Sequence, residues 1–408
     1  MNNCKFIFHS ILICMVCFLC SCETLNVNSI GTEKQFTKED DEARIWQRCK
    51  EEEDIIYESG TIYNNARLNE YLNGLVKKII PQEVSDSGVS VEVFVLRSPI
   101  INAGVYPNGV MYINMGLLAD LDNEAELVYV LGHELTHFIG RHTLKQFRNL
   151  KNKSAFFATL SIATASASGA VGAPVDLSSL SVFTFISSIS SYSRDMERRA
   201  DEGGFNILLN NNYAPQESVK AIEIFETDLK GDKVKTKIPY VFMDHPTNQK
   251  RLKVLKQLCS ENESALEDGN RITGAREYQM MVKGLLLDTA GLDIKVGRFH
   301  AAQRLTNKYL LSSPQDARAY YYLGEVFSNR KDKGDEALAI ANYKKAIELD
   351  ESFPLAHREL GLIYYKNNSY KEAFKEFNRY LSILPDAEDK KYIDIYLEKL
   401  KKEKCDEN

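Results

Sequence analysis

Apolar positions lay out the elements of the chain. From Asp41 to Ile80, residues Ile45, Ile55, Ile56, Leu68, Leu72, Leu75, Val76 and Ile79 keep a helical period, and Pro81 stops it. Val89–Leu96, "VSVEVFVL", alternates and is β-branched, which predicts a strand. After the turn Pro107-Asn108-Gly109, the run Gly109–Leu118 predicts a second strand. Asp122 or Asn123 then caps a helix with Glu124 and Glu126 in its first turn. That helix continues through the apolar stretch Val130–His142, "VLGHELTHFIGRH". Ser154–Ser193 is rich in Ala, Ser and Gly and holds a single charge, Asp176. Small and hydroxyl residues dilute its hydrophobicity, and Gly169, Gly172 and Pro174 interrupt it. This favours a buried helical hairpin or a lid beside the site over membrane insertion, with contact to a membrane surface left open.

The last third repeats itself. Ala319–Phe327, "AYYYLGEVF", returns as Ala356–Tyr364, "AHRELGLIY". Leu360, Gly361, Tyr364, Ala373, Phe377 and Pro385 fall on tetratricopeptide spacing, in which small residues let two antiparallel helices approach and large ones fill the gap beside them. Leu323, Gly324, Phe327, Ala339, Tyr343 and Ala346 form the first copy, and a degenerate earlier repeat ends at Pro314. So short an array is marginal as a free solenoid, so it is expected to pack on the N-terminal domain.

Composition changes this picture only at the N-terminus. With 408 residues, 44% hydrophobic and 26% charged, the chain has globular composition and room for two or three domains. Net charge is −6 with no long basic block, so nothing points to a nucleic-acid partner. One lysine, Lys5, precedes a mostly apolar run from Phe6 to Cys20, short for a membrane span and typical of a signal-peptide core. Leu19-Cys20-Ser21-Cys22 resembles a bacterial lipobox, which implies cleavage before Cys22 and lipidation of that cysteine; an uncleaved N-terminal anchor is the other reading. The expected organisation is a signal peptide over 1–21, a tether over 22–40, a catalytic domain over 41–265 and repeats over 275–400. The body is expected on the periplasmic side of a cell envelope, with outer membrane preferred to inner because Glu23 follows Cys22. Cys49, Cys259 and Cys405 are too scattered for a zinc knuckle, and one disulfide among them is permitted.

The candidate chemistry lies in His133-Glu134-Leu135-Thr136-His137, an H-E-x-x-H motif. Positions i and i+4 share a helix face, so both imidazoles can reach one zinc, and the glutamate can reach its water. The metzincin extension fails, because Thr143 stands where the third histidine would be and His142 comes one residue early. A third ligand must come from elsewhere. Ser191–Gly204, "SYSRDMERRADEGG", offers Glu197 and Asp201 on one helical face. His142 is expected to be structural or to sit outside the ligands; His300 and His357, in the repeats, have no partner spaced to make a metal site.

Three motifs in order, H-E-x-x-H, E-x-x-A-D at Glu197–Asp201 and Asp244-His245-Pro246, resemble the zinc metallopeptidase family of the HtpX and CAAX prenyl protease type, as do Asn102-Ala103 and "ELVYVLGHELTH". The tetratricopeptide-bearing β-barrel assembly-enhancing branch of that family is the most similar. The resemblance implies an α+β zincin-type (gluzincin) domain, mainly helical with a small β-sheet, followed by an all-α tetratricopeptide array. It implies one Zn2+ per chain on His133, His137 and Glu197, with Glu134 as general base and Asp201 bonded to a zinc-ligating histidine. His245 would be either a hydrogen-bond donor to the oxyanion or a fourth zinc ligand; Arg251 would pair with a carboxylate of the site. Substrate is expected as an added β-strand, with Met111–Met115 presenting the edge. The implied activity is endopeptidase action on unfolded or misassembled envelope proteins. The repeats would face a partner such as outer-membrane assembly machinery. The competing class is a tetratricopeptide adaptor or chaperone with an idle or latched zinc site.

Overall fold

The computed structural model describes residues 27–149, 192–231, 248–262 and 270–406. The signal segment with Cys22, residues 154–191 of the Ala/Ser-rich stretch, and the Asp244-His245-Pro246 motif lie outside them.

The helical period from Asp41 to Ile80 is two helices, α1 (Asp40–Glu58) and α2 (Ala66–Ile79). Gly60 is left-handed, with φ 72°, and breaks the run there. The freed backbone pairs with a strand: Tyr63 donates to the Val95 carbonyl at 2.8 Å, and Arg97 donates to that of Thr61 at 2.7 Å. Asn65 caps α2 by accepting from the Leu68 N–H at 3.1 Å. A short helix, α3 (Gln82–Asp86), follows Pro81.

The sheet has three strands, β1 (Glu92–Leu96), β2 (Ala103–Val105) and β3 (Val110–Asn114), in the order β1-β3-β2. β1 runs parallel to β3, and β2 runs antiparallel to it with Gly104 opposite Tyr112. Two expectations are corrected here. The second predicted strand ends at Asn114, where the chain turns into helix α4 (Met115–Asp120). Its central place in the sheet also removes Met111–Met115 as a free edge. The edge beside β3 belongs to β2, too short for its alternation to show in the sequence.

One sheet face carries Val93, Val95, Ala103, Met111 and Ile113 into the main core, against α2 and α5 (Glu124–Ile139). The other carries Phe94, Leu96, Tyr106 and Tyr112 against Ile45, Cys49 and Ile56 of α1 and against Leu144 and Phe147 of α6 (His142–Asn149). Then come α7 (Arg194–Asn210), α8 (Glu217–Gly231) and α9 (Asn248–Glu261). Cys49 and Cys259 are free thiols. Among the described residues no helix is long and apolar enough to cross a membrane.

Seven further helices form the repeat region: α10 (Ala275–Lys295), α11 (Phe299–Ser312), α12 (Ala317–Arg330), α13 (Asp335–Leu349), α14 (Pro354–Lys366), α15 (Tyr370–Ile383) and α16 (Lys390–Asp406). The repeat logic is visible in atoms. A Cβ on Gly324 would lie 2.4 Å from the Tyr343 ring, and one on Gly361 2.6 Å from that of Phe377. The array docks on the end of α4. Lys308 Nζ reaches the carbonyls of Ala119 at 3.0 Å and Leu121 at 2.8 Å, and Arg304 grips Asp120 at 2.8 and 2.9 Å. Cations placed on the last carbonyls of a helix satisfy groups that have no partner within it.

Helix α1 carries a buried acid. Glu52 is 2% exposed, its Oε1 has no partner among the described residues, and burial raises its carboxyl to about 7. A folded-state value above the unfolded one means stability that is full in acid and is lost as pH rises through about 7. Glu52→Gln is therefore expected to leave urea stability unchanged at about pH 4, below the unfolded carboxyl value. At pH 8 it should raise it by about 1–2 kcal/mol, a figure reduced from the full shift for solvent screening.

Candidate active site

Helix α5 starts at an Asn123 cap, whose Oδ1 accepts from the Glu126 N–H at 3.0 Å, and runs through the core. Helix α7 starts at Ser193, which accepts from the Met196 N–H at 3.3 Å. Glycines let the two cross closely. A Cβ on Gly132 would lie 3.1 Å from the Gly204 Cα, and one on Gly203 2.1 Å from the Thr136 hydroxyl. This approach sets Glu197 and Asp201 of α7 against His133 and His137 of α5.

The two Nε2 atoms are 3.1 Å apart. Glu197 Oε2 is 3.7 Å from His133 Nε2, and Glu197 Oε1 is 3.5 Å from His137 Nε2. Donors about 2.0–2.1 Å from a tetrahedral ion stand roughly 3.3 Å from one another, so the three fit zinc. All three side chains are buried, and they are the one such donor cluster among the described residues. Two neutral imidazoles and one carboxylate are the donor set of an open catalytic zinc site. Glu197 turns to the histidines, while the nearby Arg198 pairs with Asp195 and Glu202.

Behind His133, Asp201 Oδ1 is 3.0 Å from Nδ1, which leaves Nε2 facing Glu197. The Tyr129 hydroxyl donates to the same oxygen at 2.8 Å. Arg251 binds Asp201 through Nη2 at 2.7 Å and through Nε at 3.1 Å, and its Nη2 lies 3.2 Å from His133 Nδ1. Burial works against the Asp201 charge, but Arg251 and His133 outweigh it and hold the carboxyl well below the usual range. Burial, followed by the Arg251 charge, lowers His133 and favours its neutral imidazole. Around His137, Tyr192 stacks face to face at 3.9 Å and His142 meets the ring edge-on. Sequence reasoning missed Tyr129 and Tyr192, because an isolated tyrosine in an apolar or Ser-rich run carries no spacing signal.

Glu134 is 4% exposed. Burial, then the Glu197 charge, pushes its carboxyl up to about 8, with Arg251 opposing. Such a group takes and returns a proton near neutral pH. His357, away from this site, bonds Glu376 at 2.6 Å within the repeats.

Residues 65–259 match the model of peptidase family M48, and residues 330–368 match a TPR repeat model. The chain is similar to mitochondrial metalloendopeptidase OMA1 of Arabidopsis thaliana, 30% identical over 42% of this chain and 32% of that protein. It is similar to beta-barrel assembly-enhancing protease of Escherichia coli, 23% identical over 48% of this chain and 39% of that protein. Metalloprotease YcaL of Escherichia coli is 26% identical over 43% of this chain and 64% of its own length. Each match spans less than two thirds of the relative.

Proposed function

We propose that this chain, whose residues 65–259 are a peptidase family M48 domain, is a zinc-dependent endopeptidase acting on misfolded or misassembled proteins of the bacterial cell envelope. The observation that carries this is the convergence of His133, His137 and Glu197 at tetrahedral spacing, next to a buried Glu134. Zinc held there would supply Lewis acidity, easing loss of a proton from water and polarising the scissile carbonyl. Glu134 takes the proton of the attacking water on its carboxylate and hands it to the leaving amine. Asp201, fixed by Arg251 and Tyr129, keeps the hydrogen of His133 on Nδ1. His245 is assigned to stabilising the oxyanion or to a fourth ligand position, as its motif suggests.

Substrate lies along β2, which packs against α5. Asn102 and Tyr106 exchange bonds with β3, so the intervening Ala103 and Val105 turn their peptide groups to the outer edge. Pairing with peptide backbone tolerates many sequences and favours extended, unfolded chains. The relative named beta-barrel assembly-enhancing protease supports an envelope role, and the TPR repeat match supports a protein-binding role for the repeats, for which we propose outer-membrane assembly machinery as the partner. The lipobox-like Leu19–Cys22 supports lipidation at Cys22 and anchoring to the periplasmic face of a membrane, the outer one preferred.

Purified protein is expected to cleave unfolded casein, to stop after dialysis against chelator and to recover with one equivalent of zinc. Cleavage that survives complete removal of metal would rule the assignment out.

A further inference from the structure

The family match begins at residue 65, yet the metal site is braced from before it. His137 has two ring nitrogens. Nε2 faces His133 and Glu197, and Nδ1 lies 2.9 Å from Nδ1 of His142. The His142 ring is nearly perpendicular to it, at 82°, with 4.9 Å between centroids. One hydrogen serves that contact. With Nε2 of His137 given to a metal, His137 keeps its hydrogen on Nδ1 and donates it to the bare Nδ1 of His142.

What aims His142 is an unusual turn. Arg141 stands between α5 and α6 with φ 49°, a left-handed conformation uncommon for a residue with a side chain. Gly140 leaves the ring room, since a Cβ there would lie 2.5 Å from His142 Nε2. The Arg141 side chain is held by Glu42 of α1, through Nε at 3.0 Å and through Nη2. Its Nη1 donates to the Asn28 carbonyl at 3.2 Å, and its guanidinium lies over the Phe36 ring at 5.3 Å. Glu42 is 2% exposed, so this ion pair is a buried anchor. Asn28, Phe36 and Glu42 all precede the family match.

We propose that His142 is a positioning residue for the zinc ligand His137, and that α1 sets zinc affinity through the relay Glu42–Arg141–His142. The inference rests on the zinc reading above. An outer hydrogen bond fixes a ligand ring's tautomer and orientation, and its loss typically costs about 10–100-fold in metal affinity. Asparagine is the informative replacement, because its Oδ1 stands close to where the His142 Nδ1 stood and accepts the same bond.

The test is zinc affinity of the full chain, read by chelator competition, with the visible spectrum of the cobalt(II)-substituted protein alongside. His142→Leu is expected to weaken zinc binding by about 10–100-fold and to shift the cobalt bands. His142→Asn should restore both to near wild type. Glu42→Gln should weaken zinc in the same direction by roughly 3–10-fold, since it loosens the anchor and leaves the ring in place. A folded His142→Leu that binds zinc like wild type overturns the proposal, and so does His142→Asn binding as weakly as His142→Leu. If His142→Leu does not fold, His142→Asn and Glu42→Gln decide: loss of affinity in the former, or unchanged affinity in the latter, overturns it. A wild-type chain that binds no zinc fails differently, by removing the functional reading itself.

Discussion

Glu134→Gln is expected to keep its zinc and lose peptide hydrolysis, with kcat on unfolded casein falling by roughly three to four orders of magnitude. Glutamine has the size of glutamate but cannot accept and return a proton at neutral pH. Glu134 is buried among groups that hold its proton near neutrality, so no solvent carboxylate replaces it. The proposed ligands His133, His137 and Glu197 are untouched, which is why metal content should not move. Zinc by mass spectrometry and kcat from the same preparation separate the two effects. The variant also divides the enzyme from the adaptor. An envelope phenotype fully complemented by Glu134→Gln would place the work in the repeats.

Asp201→Ala is expected to unfold with about 3–5 kcal/mol less stability than wild type, and to bind zinc about 10–100-fold more weakly. Asp201 and Arg251 are 1% and 3% exposed. Removing the carboxylate strands a buried guanidinium whose Nη1 already has no partner among the described residues, and Tyr129 loses its acceptor as well. Restoring an apolar interior with Arg251→Met in the same chain should recover much of the stability and none of the zinc affinity, since Asp201 Oδ1 is what meets His133 Nδ1. The pH dependence has a definite sign. The folded carboxyl is depressed, so its contribution is present above the unfolded value near 4 and fades as pH falls below it. Urea unfolding of metal-free wild type and variant should therefore differ most at pH 6–8 (about neutral) and converge in acid. A neutral Asp201→Ala at pH 7 would contradict the geometry.

The parts of this site that were legible share one property: chemistry fixed to a local spacing. His133, Glu134 and His137 are set by one helical turn, and Glu197 and Asp201 by another. Gly324 and Gly361, each followed by its large partner, announce the repeats in the same way. What escaped depends on contacts between distant segments. Gly109–Leu118 reads as a strand, but its end at Asn114 and its central place, paired with both β1 and β2, are encoded in no local pattern. The helical period of Asp41–Ile80 survives the break at Gly60, because both helices bury one face against the same domain. His142 shows in the sequence only as a histidine one place short of a metzincin ligand. Its aim at His137 comes from the left-handed Arg141 and the distant Glu42.

X-ray absorption at the zinc edge of the purified full chain tests the central claim most directly. One zinc per chain is predicted, with only nitrogen and oxygen neighbours at about 2.0–2.2 Å, two of them imidazole, and a spectrum that changes in Glu197→Gln. A chain without zinc, a sulfur neighbour at about 2.3 Å, or a spectrum indifferent to Glu197 would contradict it.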